Sequence, residues 1–196
     1  MNNKNKEQNT IVKFPDKNLE IVIRETINKP YKPIYIEDLE EITELDAEER
    51  EISNLTGLEY CTNLKVLILN NNDIDDITPL SNLVNLNELN LAANWITNIS
   101  PLSKLVNLEV LDLGGNRITD IDHISNLTNL EYLSFEFNLI TDITSLLNLN
   151  KIRYLNLRNN KITDILSLTV NLMRKPMIFS HRMIIKKIFN IYLTNI

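Results

Sequence analysis

At 196 residues, with 43% apolar and 23% charged side chains, the chain has room for one domain with a large buried core. A net charge of −6 argues against nucleic acid, whose phosphates attract a basic surface. A single cysteine, Cys61, excludes an internal disulfide framework and a cysteine-based zinc site, and no apolar run is long enough to span a membrane as a helix.

Residues 1–12, opening MNNKNKEQNT, are polar and lack the apolar stretch of a signal peptide. They read as a disordered N-terminus, with a cytoplasmic location as the default. Residues 13–41 are expected to form a helical cap. Pro15-Asp16 starts a helix in which Leu19, Val22, Ile23 and Ile27 recur at helical spacing. Lys29-Pro30 ends it, because proline disfavours helical geometry in the residue before it. A second short helix is expected from Ile36 through Leu39.

From residue 42 to 168 the chain repeats itself every 22 residues. Asn72, Asn94, Asn116, Asn138 and Asn160 form one column. Leu67, Leu89, Leu111, Leu133 and Leu155 form another, and Leu69, Leu91, Leu113, Phe135 and Leu157 a third. Isoleucines keep the same register at Ile74, Ile96, Ile118, Ile140 and Ile162. Each unit reads LxxLxLxxNxI, then IxxLxxL. The L-x-L stretch alternates with period two and predicts a short strand. The following period of three suits a 3₁₀ turn. The pattern therefore specifies an α/β leucine-rich-repeat solenoid: a curved parallel β-sheet, 3₁₀ turns on the convex side and a helical N-terminal cap. Ile42, Leu45, Ala47 and Ile52 place a first strand in the cap, with Arg50 where asparagine is expected.

The asparagine side chain carries both a donor and an acceptor, which suits it to pair backbone groups that turn inside the stack. Thr119-Asp120, Thr141-Asp142 and Thr163-Asp164 fall where the convex turn begins, and short oxygens there can cap free N–H groups. The competing reading is a calcium ladder, although no Asp-x-Asp-x-Asp-Gly loop surrounds them. Residues 169–196 break the pattern: after Asp164 there are no acids and five cations. Three readings stay open for this degenerate basic tail: a C-terminal cap, a cationic membrane-surface helix, or a segment translated out of frame.

Inward leucines leave the residues between them facing the hollow. The exposed columns read Glu44, Val66, Glu88, Val110, Tyr132, Tyr154; then Asp46, Ile68, Asn90, Asp112, Ser134, Asn156; then Glu48, Asn70, Ala92, Gly114, Glu136, Arg158. Trp95, Arg117, Phe137, Leu139 and Lys161 follow just past the strands. Tyr, Trp and Arg are the residues that most often anchor interfaces. The candidate patch is Tyr132, Tyr154, Glu136, Phe137 and Arg158, extended by Trp95 and Asp112; the plainer reading is that the two tyrosines only pack on each other.

Nothing assembles into a catalytic site, and no cofactor or metal motif is present. His123 matches the turn positions of Pro79 and Pro101, and Cys61 occupies a leucine column as a core filler. The function expected is non-catalytic protein–protein recognition by a monomer, with a protein partner on the concave face. The alternative is a targeting or regulatory fragment of a larger enzyme or of an intracellular phosphatase regulator.

The unit NLEVLDLGGNRITDIDHISNLT, and the opening FPDKNLEIVIRETI followed by GLEYCTNLKVLILNNN, resemble the internalin family of bacterial leucine-rich-repeat proteins. The resemblance covers residues 13 to about 168 and implies a secreted or surface-exposed, adhesin-like protein that binds host or other proteins. The chain departs from the family pattern in having no immunoglobulin-like segment after the repeats, no wall-anchoring motif and no signal peptide as written.

Overall fold

A computed structural model describes residues 10–163. Helix α1 spans Lys17–Thr26 and helix α2 spans Ile36–Glu40. Six three-residue strands follow: β1 Glu44–Asp46, β2 Val66–Ile68, β3 Glu88–Asn90, β4 Val110–Asp112, β5 Tyr132–Ser134 and β6 Tyr154–Asn156. They form one parallel sheet in sequential order, each residue pairing with the one 22 positions on. Tight 3₁₀ turns at Leu58–Tyr60, Thr78–Leu80, Ser100–Lys104, Asp122–Ile124 and Thr144–Asn148 carry the chain round the opposite side.

The repeating aliphatics form one continuous core, and Leu67, Leu89, Leu111 and Leu133 are wholly excluded from solvent. A lone coil would leave these ribs in water. Stacking covers each with its neighbour, and burial of a leucine is worth roughly 1.5–3 kcal/mol. Cys61 is buried among them, and burial, reinforced by the charge of Glu59, pushes its thiol up to about 12. It is an inert filler.

The asparagine column is a ladder. The Asn94 amide donates to Leu69 O and Leu91 O at 3.0 and 3.1 Å, and its Oδ1 accepts the Ile74 N–H at 3.0 Å. The same three bonds recur at Asn72, Asn116, Asn138 and Asn160. A second ladder went unread in the sequence. Asn63, Asn85, Asn107 and Asn129 donate to Glu40 O, Thr62 O, Val84 O and Val106 O at 2.8–2.9 Å. Its signal was available, since these asparagines also fall 22 residues apart.

The convex turns begin at Asn54, Asp76, Asn98, Asp120 and Asp142, whose side-chain oxygens each accept the N–H two residues on at 2.8–2.9 Å. Asp164 lies outside the described residues. Among the described residues no three His, Cys, Asp or Glu side chains gather as a metal site, and no helix is long and apolar enough to cross a membrane.

The cap is bolted on by one carboxylate. Asp16 Oδ1 accepts the N–H groups of Asn18 and Leu19, capping α1, while Oδ2 accepts those of Ser53 and Asn54 in the first coil. Helix α1 ends at Thr26, ahead of the Lys29-Pro30 stop, because Asn28 turns left-handed at φ 52°. Arg50, standing in the asparagine column, donates its backbone N–H to Asn72 Oδ1 instead. One boundary is corrected. Residues 10–12, assigned to the disordered N-terminus, join the cap: Ile11 pairs with Tyr35, and Val12 is buried and bonds Ile34 O. Residues 1–9 and the basic tail at 169–196 lie outside the described residues.

Candidate functional site

Strand spacing builds the centre of the concave face. Tyr132 and Tyr154 are register partners on β5 and β6. Parallel strands run about 4.8 Å apart, so two rings on paired positions are brought nearly to stacking distance. Their centroids are 4.5 Å apart and their planes differ by 5°. Both side chains are part-exposed. Burial, then the negative charge of Asp112, pushes the Tyr132 hydroxyl up to about 12. It donates to Asp112 Oδ2 at 3.5 Å, while Asp112 Oδ1 holds the Gly114 N–H at 2.9 Å.

Further along the same face, Glu136 accepts the Asn156 amide at 2.8 Å. Asn156 in turn accepts the Arg158 N–H at 3.2 Å. Gly114 is closely packed here; a methyl group added to it would come within 3.2 Å of Asp112 Oδ1 and 3.5 Å of Glu136 O. The contacts fall into two groups on the same face: Tyr132 with Tyr154 and Asp112, and Glu136 with Asn156 and the Arg158 backbone. One member of the exposed columns departs from expectation: Ser134 is buried, only 4% exposed. Its hydroxyl lies within hydrogen-bonding reach of the Tyr132 side chain.

Trp95 and Phe137 belong to the rim where the chain leaves the sheet. Trp95 is 48% exposed, and its indole N–H donates to Asp73 Oδ1 at 3.1 Å. The Arg117 guanidinium lies 4.2 Å above its ring. Its partners Asp73 and Arg117 stand one coil to either side, so Trp95 is tied to its own row. Asp73 was not singled out in the sequence, although it falls one period before Trp95.

Phe137 is 61% exposed and sits at φ 53°. It shares this left-handed turn position with Glu49, Asn71, Ala93, Gly115 and Asn159. Asparagine and glycine tolerate that conformation, whereas a bulky aromatic is strained in it. A side chain that is both strained and solvated contributes little to folding. The charge pattern is also uneven. Glu44, Asp46 and Glu48 stand at the cap end, whereas Arg158 lies at the far end and Arg153 is paired with Glu131 at 3.2 Å.

The model for tandem leucine-rich repeats matches residues 62–104, 84–126, 106–148 and 128–170. An internalin (inlF) of Listeria monocytogenes is 33% identical with a TM-score of 0.59, over 82% of this chain and 61% of that one. Internalin C2 of the same organism is 35% identical with a TM-score of 0.61, over 79% of each chain.

The chain belongs to the internalin family.

The functional domain of the listerial InlJ is a further internalin neighbour, 26% identical with a TM-score of 0.68 over 78% of this chain and 38% of that one. This internalin therefore spans less than two thirds of the inlF and InlJ chains it resembles. No curated protein matches it by sequence. Internalin-type repeat domains are scaffolds for protein–protein interaction, typically without enzymatic activity.

Proposed function

We propose that this internalin is a non-catalytic recognition module that seats a protein partner on its concave sheet, centred on Tyr132 and Tyr154, as a surface or secreted adhesin-like protein. The observation that carries the reading is the stacked tyrosine pair on the solvent-facing side of β5 and β6. The core beneath is complete without these rings, because the leucine ribs are already covered by neighbouring coils. Stacked aromatics present a large, rigid, amphipathic area, the kind of surface that dominates interface energetics. The polar side chains on the same face, Asp112, Glu136 and Asn156, are held in place by hydrogen bonds, so little conformational freedom is lost on binding.

Site-specific photo-crosslinking tests this. A benzophenone side chain placed at Val110, the β4 register partner of Tyr132, is expected to trap a host-cell surface protein, and the same group at Asn126 on the convex turns is not. Capture should disappear in the Tyr132→Ala/Tyr154→Ala variant while its melting curve stays cooperative. Crosslinks from Asn126 alone, with unchanged capture by the double variant, would move the interface to the other side.

A further inference from the structure

We propose that the rim where the chain leaves the sheet is a second interaction site, taking an acidic protein segment. Arg117 receives a glutamate or aspartate of that segment, and Phe137 and Leu139 receive the large apolar residue beside it. The site lies off the sheet, so it stands whether or not a partner docks on Tyr132 and Tyr154.

Register builds the row. Asp73, Trp95, Arg117, Leu139 and Lys161 fall one period apart. Their N–H groups donate to Ile52, Ile74, Ile96, Ile118 and Ile140 of the preceding coils at 2.8–2.9 Å. The five positions therefore step along the solenoid at about one strand spacing, roughly 4.8 Å.

The charges of this row are unbalanced. Asp73 is its one acid, and its Oδ1 is committed to the indole N–H of Trp95 at 3.1 Å. Among the described residues, no carboxylate pairs with Arg117 or Lys161, and no hydrogen bond engages the Arg117 guanidinium. Asp120 and Asp142, which follow Arg117 and Leu139 in their coils, accept the N–H groups of Asp122 and Thr144 instead. Yet the guanidinium is positioned, with its central carbon 4.2 Å from the Trp95 ring centroid. A cation–π contact holds the charge and leaves the N–H donors to be used. A guanidinium held in this way offers a carboxylate a two-pronged fit with little freedom left to lose.

Apolar exposure selects the neighbour of that carboxylate. Phe137 and Leu139, one coil beyond Arg117, flank the buried Asn138 and are 61% and 37% exposed. Phe137 also holds φ 53°, where other coils place asparagine or glycine. A bulky side chain kept both strained and in water marks a position used for more than folding. Two such apolar groups beside a fixed cation suit a peptide in which an acidic residue adjoins a large apolar one. A bare phosphate would leave them uncovered.

NMR of the full chain tests the proposal with three acetylated, amidated peptides. Glycine pairs flank glutamate-leucine-leucine in the first, glutamine-leucine-leucine in the second and lysine-leucine-leucine in the third. Inorganic phosphate at equal ionic strength is the fourth probe. The glutamate peptide is expected to shift the Trp95 indole N–H and the amides of Arg117 and Leu139. The glutamine peptide on wild type, and the glutamate peptide on Arg117→Gln, should each bind about tenfold more weakly through loss of one charge-assisted pair. Phe137→Asn should bind the glutamate peptide about threefold more weakly through loss of apolar contact. Equal shifts with the lysine peptide or with phosphate would overturn the proposal, as would undiminished binding by either variant. So would silence at these signals, or shifts confined to the amides of Tyr132 and Tyr154, which would place the peptide on the sheet.

Discussion

Asn116 and Ile96, 20 residues apart, are joined by a hydrogen bond of 2.9 Å from the Ile96 N–H to Asn116 Oδ1. The Asn116 amide closes the same coil boundary by donating to Leu91 O and Leu113 O. With a further bond to Gly114 O at 3.3 Å, one buried side chain therefore serves four backbone groups on two coils. Asn116→Leu adds apolar surface but strands those groups, and is expected to cost about 1–3 kcal/mol. A denaturation midpoint equal to wild type would refute this assignment.

Asp16 makes the acid limb of the stability curve testable. Burial raises its pKa, but the N–H groups of Ser53, Leu19, Asn54 and Asn18 outweigh that and hold the carboxyl below its ordinary value. A carboxyl depressed in the folded state contributes stability that is full above its unfolded pKa and lost as pH falls through the folded one. Asp16→Ala should therefore be less stable than wild type by about 1–2 kcal/mol at neutral pH. The gap should close as pH drops below about 4. Denaturation across pH 2 to 7, roughly the carboxylate range, measures it.

Gly57 lies at φ 107°, and a methyl group there would fall 2.5 Å from the Phe14 ring. Gly57→Ala is expected to cost about 2–4 kcal/mol, combining overpacking with a conformation that L-residues avoid. Adding Phe14→Leu should make the double variant less damaged than the sum of the two single changes, because the collision is removed and only the backbone strain remains. Strict additivity in chemical denaturation would show that the ring is not the obstacle.

Phe137 separates stability from binding. Phe137→Asn installs the residue that Asn71 and Asn159 place in the same left-handed conformation. It should stabilise the protein by about 0.5–1 kcal/mol. Partner capture, if Phe137 is part of the interface, should weaken. A fall in melting temperature would mean that the ring packs usefully despite its exposure.

Trp95 is the chain's only tryptophan, so its emission reports the rim directly. Arg117→Gln removes the guanidinium 4.2 Å above the ring. The change should alter the fluorescence of the native protein and cost about 0.5–1 kcal/mol. An unchanged spectrum would indicate that the two side chains do not stack in solution.

The repeat was legible because hydrophobic period is a one-dimensional signal, restated at each coil. Leu67, Leu89 and Leu111 had to point inward once alternation placed them on strands, and Tyr132 and Tyr154 then had to share the opposite face. The asparagine ladder followed from the donor and acceptor on one side chain. Some features were less visible. Phe137 carries no local mark of a left-handed turn; stacked neighbours impose that geometry, since Asn71, Gly115 and Asn159 occupy it on other coils. The burial of Ser134 likewise depends on the larger side chains around it.

Taken by itself, the sequence determined the architecture, the inward ribs and the columns that face the hollow, because each is fixed by spacing along the chain. Only the tertiary structure decided that Asp16 reaches Ser53, that Arg117 covers Trp95 and that the two tyrosine rings lie parallel. Those contacts depend on distances and rotamers between coils, which residue spacing constrains but does not specify.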